Sequence, residues 1–99
     1  MSLFVTLGTV ESPTDLTDTI IDDIGSAPDI PEEVENSYIA NLKKVNEFIV
    51  SGKTTAATNQ LEAFIHKIQQ DITQGKVSQE DGDLYIMMVQ DVIDLLTGN

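Results

Sequence analysis

Between Gly52 and Gly75 the apolar side chains recur at helical spacing: Ala57, Leu61, Phe64, Ile65, Ile68 and Ile72 are separated by 4, 3, 1, 3 and 4 positions. A strand exposed to water on one face would alternate every second residue, whereas this period puts one continuous stripe along a helix. Asn59, Gln60, Glu62, Lys67, Gln69 and Gln70 fall off the stripe. The flanking glycines suit the left-handed backbone that closes a helix. A lone helix of this kind is marginal in water, so its apolar face needs a cover built from the rest of the chain.

Three further segments read as helices that could supply that cover. Ser12-Pro13-Thr14-Asp15 is a helix start, with Ser12 as N-cap, Pro13 in the first helical position and Asp15 completing a capping box. Leu16, Ile20 and Ile24 follow at intervals of four, with Ile21 beside them, and Gly25-Ser26-Ala27-Pro28 ends this shorter helix. Asp22 and Asp23 near its end oppose the helix macrodipole. A second start is Pro31-Glu32-Glu33, from which Val34, Tyr38, Leu42, Val45 and Ile49 form a stripe widened by Ile39 and Phe48 and closed at Ser51-Gly52.

The last helix starts at Ser78-Gln79-Glu80-Asp81, again a capping-box pattern. Leu84, Met87, Met88, Val92, Leu95 and Leu96 are read as its core stripe. Tyr85, Ile86, Val89 and Ile93 make it apolar over more than half its circumference. Such a helix is either buried between others or carries a second face, and these four residues are the candidate partner face. Gly82 inside it should cost about 1 kcal/mol relative to alanine.

The connections near Gly25–Ile30, Gly52–Lys53 and Gly75–Val77 are short, which favours antiparallel neighbours. The expected fold is all-α: an antiparallel bundle of three long helices plus one shorter N-terminal helix, occupying residues 12–99. Residues 1–11 differ. Leu3, Val5 and Leu7 alternate with Ser2, Phe4 and Thr6 up to Gly8, a weak strand pattern read as an extended tail or the remnant of an upstream domain.

Charge and missing residue types remove several functions. Seventeen acidic residues stand against five lysines and no arginine, a formal charge of −12. Such a chain repels a phosphate backbone and an anionic membrane, so no nucleic-acid partner and no membrane insertion are expected. Cysteine is absent, which excludes disulfides, thiolate metal sites and Cys nucleophiles. No apolar run approaches a membrane span, and Met1–Leu7 lacks the basic flank and long apolar run of a signal peptide.

The residues capable of chemistry are few. His66 is the only histidine, beside the core stripe at Ile65. One His without Cys builds no zinc site, but a helical His can accept a phosphoryl group. Ser37, early in the second helix, invites comparison with carrier proteins that bear a prosthetic arm on a helical serine, although Asn36 stands where those have Asp. The carboxylates Asp22/Asp23, Glu32/Glu33 and Glu80, Asp81, Asp83 lie in loops or first turns, where acids cap and solvate rather than share a cleft. Asp81-Gly82-Asp83 lacks the spacing of a twelve-residue calcium loop. No Gly-x-Ser-x-Gly elbow occurs. The chain is therefore expected to be no enzyme, with no resident cofactor and no catalytic residues.

Three stretches carry a resemblance. Ile30-Pro31-Glu32-Glu33-Val34-Glu35-Asn36-Ser37 leads into Leu42; Gly52–Ile68 contains a glycine, paired Ala56-Ala57, Leu61 and Phe64-Ile65; and Gly75-Lys76-Val77-Ser78 leads into a helix with Asp83 and Leu84. In these stretches the chain resembles the FIMAH-type domains, small helical modules of secreted bacterial and archaeal multidomain proteins. It departs from them at Gly82, where such modules often carry alanine. The resemblance implies a non-catalytic accessory module, for protein interaction or spacing, of an extracellular or cell-surface protein. Its partner would be another protein or a neighbouring domain. The alternative is a free-standing acidic carrier or phosphotransfer adaptor in the cytoplasm, modified at Ser37 or His66.

Overall fold

The computed structural model describes residues 12–27 and 30–98. The described residues form four helices and no strand: α1 Pro13–Ser26, α2 Glu32–Val50, α3 Thr54–Thr73 and α4 Gln79–Thr97. The strand pattern read in residues 1–11 lies outside the described residues.

The helix ends follow from local chemistry. Ser12 Oγ accepts from the Asp15 N–H at 3.1 Å, and Ser78 Oγ accepts from the Asp81 N–H at 3.1 Å, each satisfying a donor that has no partner within the helix. Pro31 stands one position ahead of the first turn of α2, with Glu32, Glu33 and Glu35 at the positive end of the helix dipole. At the end of α2, Gly52 adopts φ 77°, the Gly52 N–H donates to Ile49 O at 3.1 Å, and the Lys53 N–H donates to Phe48 O at 2.8 Å. The end of α3 repeats the motif: the Gly75 N–H donates to Ile72 O at 3.0 Å and the Lys76 N–H to Asp71 O at 2.8 Å. Both are Schellman closures, in which a glycine takes the left-handed turn without the steric penalty of a Cβ.

Each helix packs on two others: α1 on α2 and α4, and α3 on α2 and α4. The four enclose one aliphatic core. Ile20 and Ile24 of α1, Tyr38, Leu42 and Val45 of α2, Ala57, Leu61, Phe64 and Ile68 of α3, and Val89 and Val92 of α4 are all sealed from solvent. Ile30 ahead of α2 and Val77 ahead of α4 are also buried in this cluster. Thr17 is the one polar residue of α1 in the interior, and its hydroxyl donates to Pro13 O at 2.8 Å, so its burial leaves no orphan donor.

In α4 the core stripe read from the sequence holds at Val92, which is buried, and differs elsewhere. The inward face is Gly82, Tyr85, Val89, Val92 and Ile93. Leu84, Met87 and Leu95, expected in the core, are exposed, while Met88 and Leu96 are half-buried. A helix apolar on most of its circumference does not specify which side turns inward. A close contact with α3 accompanies the orientation found here. Gly82 is buried against α3, and a Cβ at that position would fall inside the van der Waals envelope of Ile72 Cγ1 and Cδ1. The glycine that costs helix propensity is what lets α4 lie so close to Ile72.

Gly82→Ala should therefore lower the melting temperature, although alanine alone would favour the helix by about 1 kcal/mol. In an Ile72→Ala background the same substitution should raise it, because the obstructing side chain is gone. Thermal denaturation of the two single variants and the double variant checks this. A stabilised Gly82→Ala single variant would contradict the packing.

Candidate functional site

The aliphatic core holds one buried polar pair. Tyr38 projects from α2 on the same stripe as Val34, Leu42 and Val45 and is fully enclosed. Its hydroxyl donates to Asp71 Oδ2 of α3 at 2.6 Å, and the Asp71 side chain is buried too. The Tyr38 ring stands edge-on to Phe64, with centroids 5.0 Å apart and planes at 84°. That is the favoured aromatic geometry, with the positive ring edge against the negative face. Burial pushes the Tyr38 phenol up from its ordinary value, and the hydrogen bond and the negative charge of Asp71 push it the same way. The Tyr85 phenol is also raised, first by burial and then by the carboxylates of Asp81 and Asp23.

Sequence reasoning missed Asp71. It lies three residues after Ile68 and seven after Phe64, on the core face, and a carboxylate on a core stripe opposite a tyrosine on the neighbouring stripe was the available signal. The pair is structural. A phenol enclosed beyond the reach of solvent offers no nucleophile or acid to an outside substrate.

The residues singled out from the sequence are not brought together. Tyr85, Val89 and Ile93 of the candidate partner face are buried in the core and Ile86 is half-buried. Ser37 is half-buried within α2, and its backbone carbonyl accepts from Asn41 Nδ2 at 2.9 Å. Asn41 Oδ1 in turn accepts from Gln60 Nε2 of α3 at 2.6 Å. This polar relay ties α2 to α3 beside Ser37. His66 is exposed on α3 and borders a shallow depression with Gln69, Gln70, Thr73 and Gln74. A second depression, at the end of α2, is lined by Asn46, Glu47, Val50 and Ser51.

Most of the singled-out carboxylates stay in water. Asp22, Asp23, Glu32, Glu33, Glu80 and Asp83 are exposed and Asp81 is half-buried. Among the described residues no group of three or more His, Asp or Glu side chains is placed to hold a metal ion. No helix among them is long and apolar enough to cross a membrane. The chain matches no family model, no curated protein and no solved structure.

The raised phenol has a consequence for stability. Tyr38 holds its proton more tightly in the folded chain than in the unfolded one, where it titrates near pH 10. Its contribution is complete below about pH 10 and falls away as pH rises beyond that. Tyr38→Phe should make the alkaline loss of stability shallower, the remaining slope including Tyr85, which has the same sign. At pH 7 the variant should be less stable by about 1–3 kcal/mol, because the buried Asp71 carboxylate loses its donor. Urea denaturation across pH 7 to 11 measures both effects. An unchanged alkaline slope would contradict the assignment.

Proposed function

We propose that this chain is a non-catalytic accessory module of the FIMAH type, serving protein interaction or spacing within a secreted or cell-surface multidomain protein, and folded as an antiparallel bundle. One observation carries the reading. The central stretch that bears the resemblance serves turns and packing: Gly52 makes the left-handed turn between α2 and α3, and Ala57, Leu61, Phe64 and Ile68 are buried at the centre. A family likeness carried by such residues concerns a scaffold and transfers no reacting group. The antiparallel arrangement is supported by the short connection Ser51–Lys53 and by Tyr38, early in α2, meeting Asp71, late in α3.

A second reading rests on His66. Its imidazole is exposed on a long helix, with Lys67 next to it, as a phosphotransfer histidine requires. The half-buried Ser37, well inside its helix, gives the carrier version less support.

Fractionation of the native host with an antibody to this domain separates the two. The accessory-module reading expects an extracellular or surface antigen much larger than a chain of 99 residues. A cytoplasmic antigen of about that size would overturn it, and a phosphoryl or prosthetic mass on the isolated chain would then establish the alternative.

A further inference from the structure

We propose that the outward face of α4, bordered by α1, is a docking surface for a cationic amphipathic helix. The proposal rests on the reading of the chain as an interaction module and names the chemistry of its partner.

Three large apolar side chains of α4 stand in water: Leu84 is 45% exposed, Met87 59% and Leu95 44%. With the half-buried Met88 they share one side of the helix, because Leu84, Met87, Met88, Asp91 and Leu95 are spaced 3, 1, 3 and 4 apart. The buried residues of α4, Gly82, Tyr85, Val89, Val92 and Ile93, lie on a different side of the helix. A helix that only spaced two domains would have no use for such a stripe, and in water it is a liability. Two of the residues are methionines, whose unbranched thioether chains adapt to the shape of an apolar partner. From Leu84 to Leu95 the stripe runs about 16 Å, the length of about three turns of an opposing helix.

The charges around the stripe select the occupant. Every charged residue of α1 and of α4 is acidic, whereas all the lysines fall between Lys43 and Lys76, on α2, α3 and their connections. Asp91 lies within the stripe and Glu80 one turn before Leu84, both exposed. α1, which packs on α4, carries the exposed carboxylates Asp15, Asp18, Asp22 and Asp23. A second copy of this chain would bring the same sign against the same sign, and nucleic acid or an anionic lipid surface would be repelled as well. A neutral apolar segment would gain nothing from the field. A helix with leucine-like anchors on one side and Lys or Arg beside them satisfies both the stripe and the charge.

The test titrates the full ¹⁵N-labelled chain with a Lys/Leu amphipathic peptide about four helical turns long. Two control peptides accompany it: a scrambled sequence of the same composition, and a Glu/Leu peptide of the same pattern. The proposal expects binding of the first peptide alone, with amide shifts concentrated on Leu84–Leu95 and adjoining α1, and an affinity that falls as salt rises. A Leu84→Ser/Met87→Ser double variant, altered only at exposed side chains, should keep its circular-dichroism spectrum and lose about tenfold or more in affinity. Val50→Ser, at the exposed apolar residue that ends α2, should bind as the parent does.

Equal binding of the scrambled peptide would reduce the effect to bulk charge and overturn the proposal. So would shifts centred on α2 and α3, an unaffected double variant, or self-association through Leu84 and Met87. Those outcomes leave the accessory-module reading standing, since that reading is decided by the size and location of the native antigen. A small cytoplasmic antigen, conversely, would overturn the module without altering the peptide result.

Discussion

One hydrogen bond, between Tyr38 and Asp71, crosses the aliphatic core of this bundle. A carboxylate enclosed among aliphatic side chains is costly unless a donor meets it, and the phenol of Tyr38 does so at 2.6 Å. The bond is directional where the surrounding apolar contacts are not, and with the Asn41–Gln60 bond it joins α2 to α3. Asp71 also acts through its backbone, where its carbonyl accepts from the Lys76 N–H at 2.8 Å and closes the end of α3. The turn at Gly75 then seats Val77 in the core and presents Ser78 as the cap of α4. One turn further on, Gly82 meets Ile72, the residue that follows Asp71. The backbone turn at the end of α3 and the contact of Gly82 with Ile72 thus place α4 close against α3.

Much of this architecture was legible in the sequence because it depends on local rules. The caps at Ser12 and Ser78, the left-handed glycines at Gly52 and Gly75, and the core stripes of α2 and α3 are consequences of spacing and backbone chemistry that operate within a few residues. What was not legible depends on contacts between helices. Asp71 and Thr17 are polar by type and buried by context: Thr17 satisfies its own helix backbone, and Asp71 is satisfied only from α2. The orientation of α4 was hidden because apolar residues surround most of that helix. For the same reason Tyr85, Val89 and Ile93 of the candidate partner face turn inward while Ile86 stays half-buried. Gly82 was a signal in the sequence as a helix-weakening residue, but its close approach to Ile72 depends on a contact between helices.

That orientation changes where function is sought. Core residues explain why the chain folds. The residues left outside carry whatever specificity it has. They divide sharply, with α1 and α4 wholly acidic and the lysines kept to α2, α3 and their connections. A net charge of −12 spread evenly would serve solubility alone. Concentrated beside exposed leucine and methionine, it gives one side of the bundle a chemical identity that its buried residues do not reveal.

The account depends most directly on the Tyr38 hydroxyl being enclosed and bonded. Selective ¹³C labelling of the tyrosine ζ carbons would follow both phenols as pH rises, with Tyr38→Phe assigning the two signals. The Tyr38 signal should show no titration while the chain stays folded, and should shift only with global unfolding. A Tyr38 signal that titrated near pH 10 in the folded chain, as an unperturbed phenol does, would contradict the buried pair and the arrangement of α2 and α3 built on it.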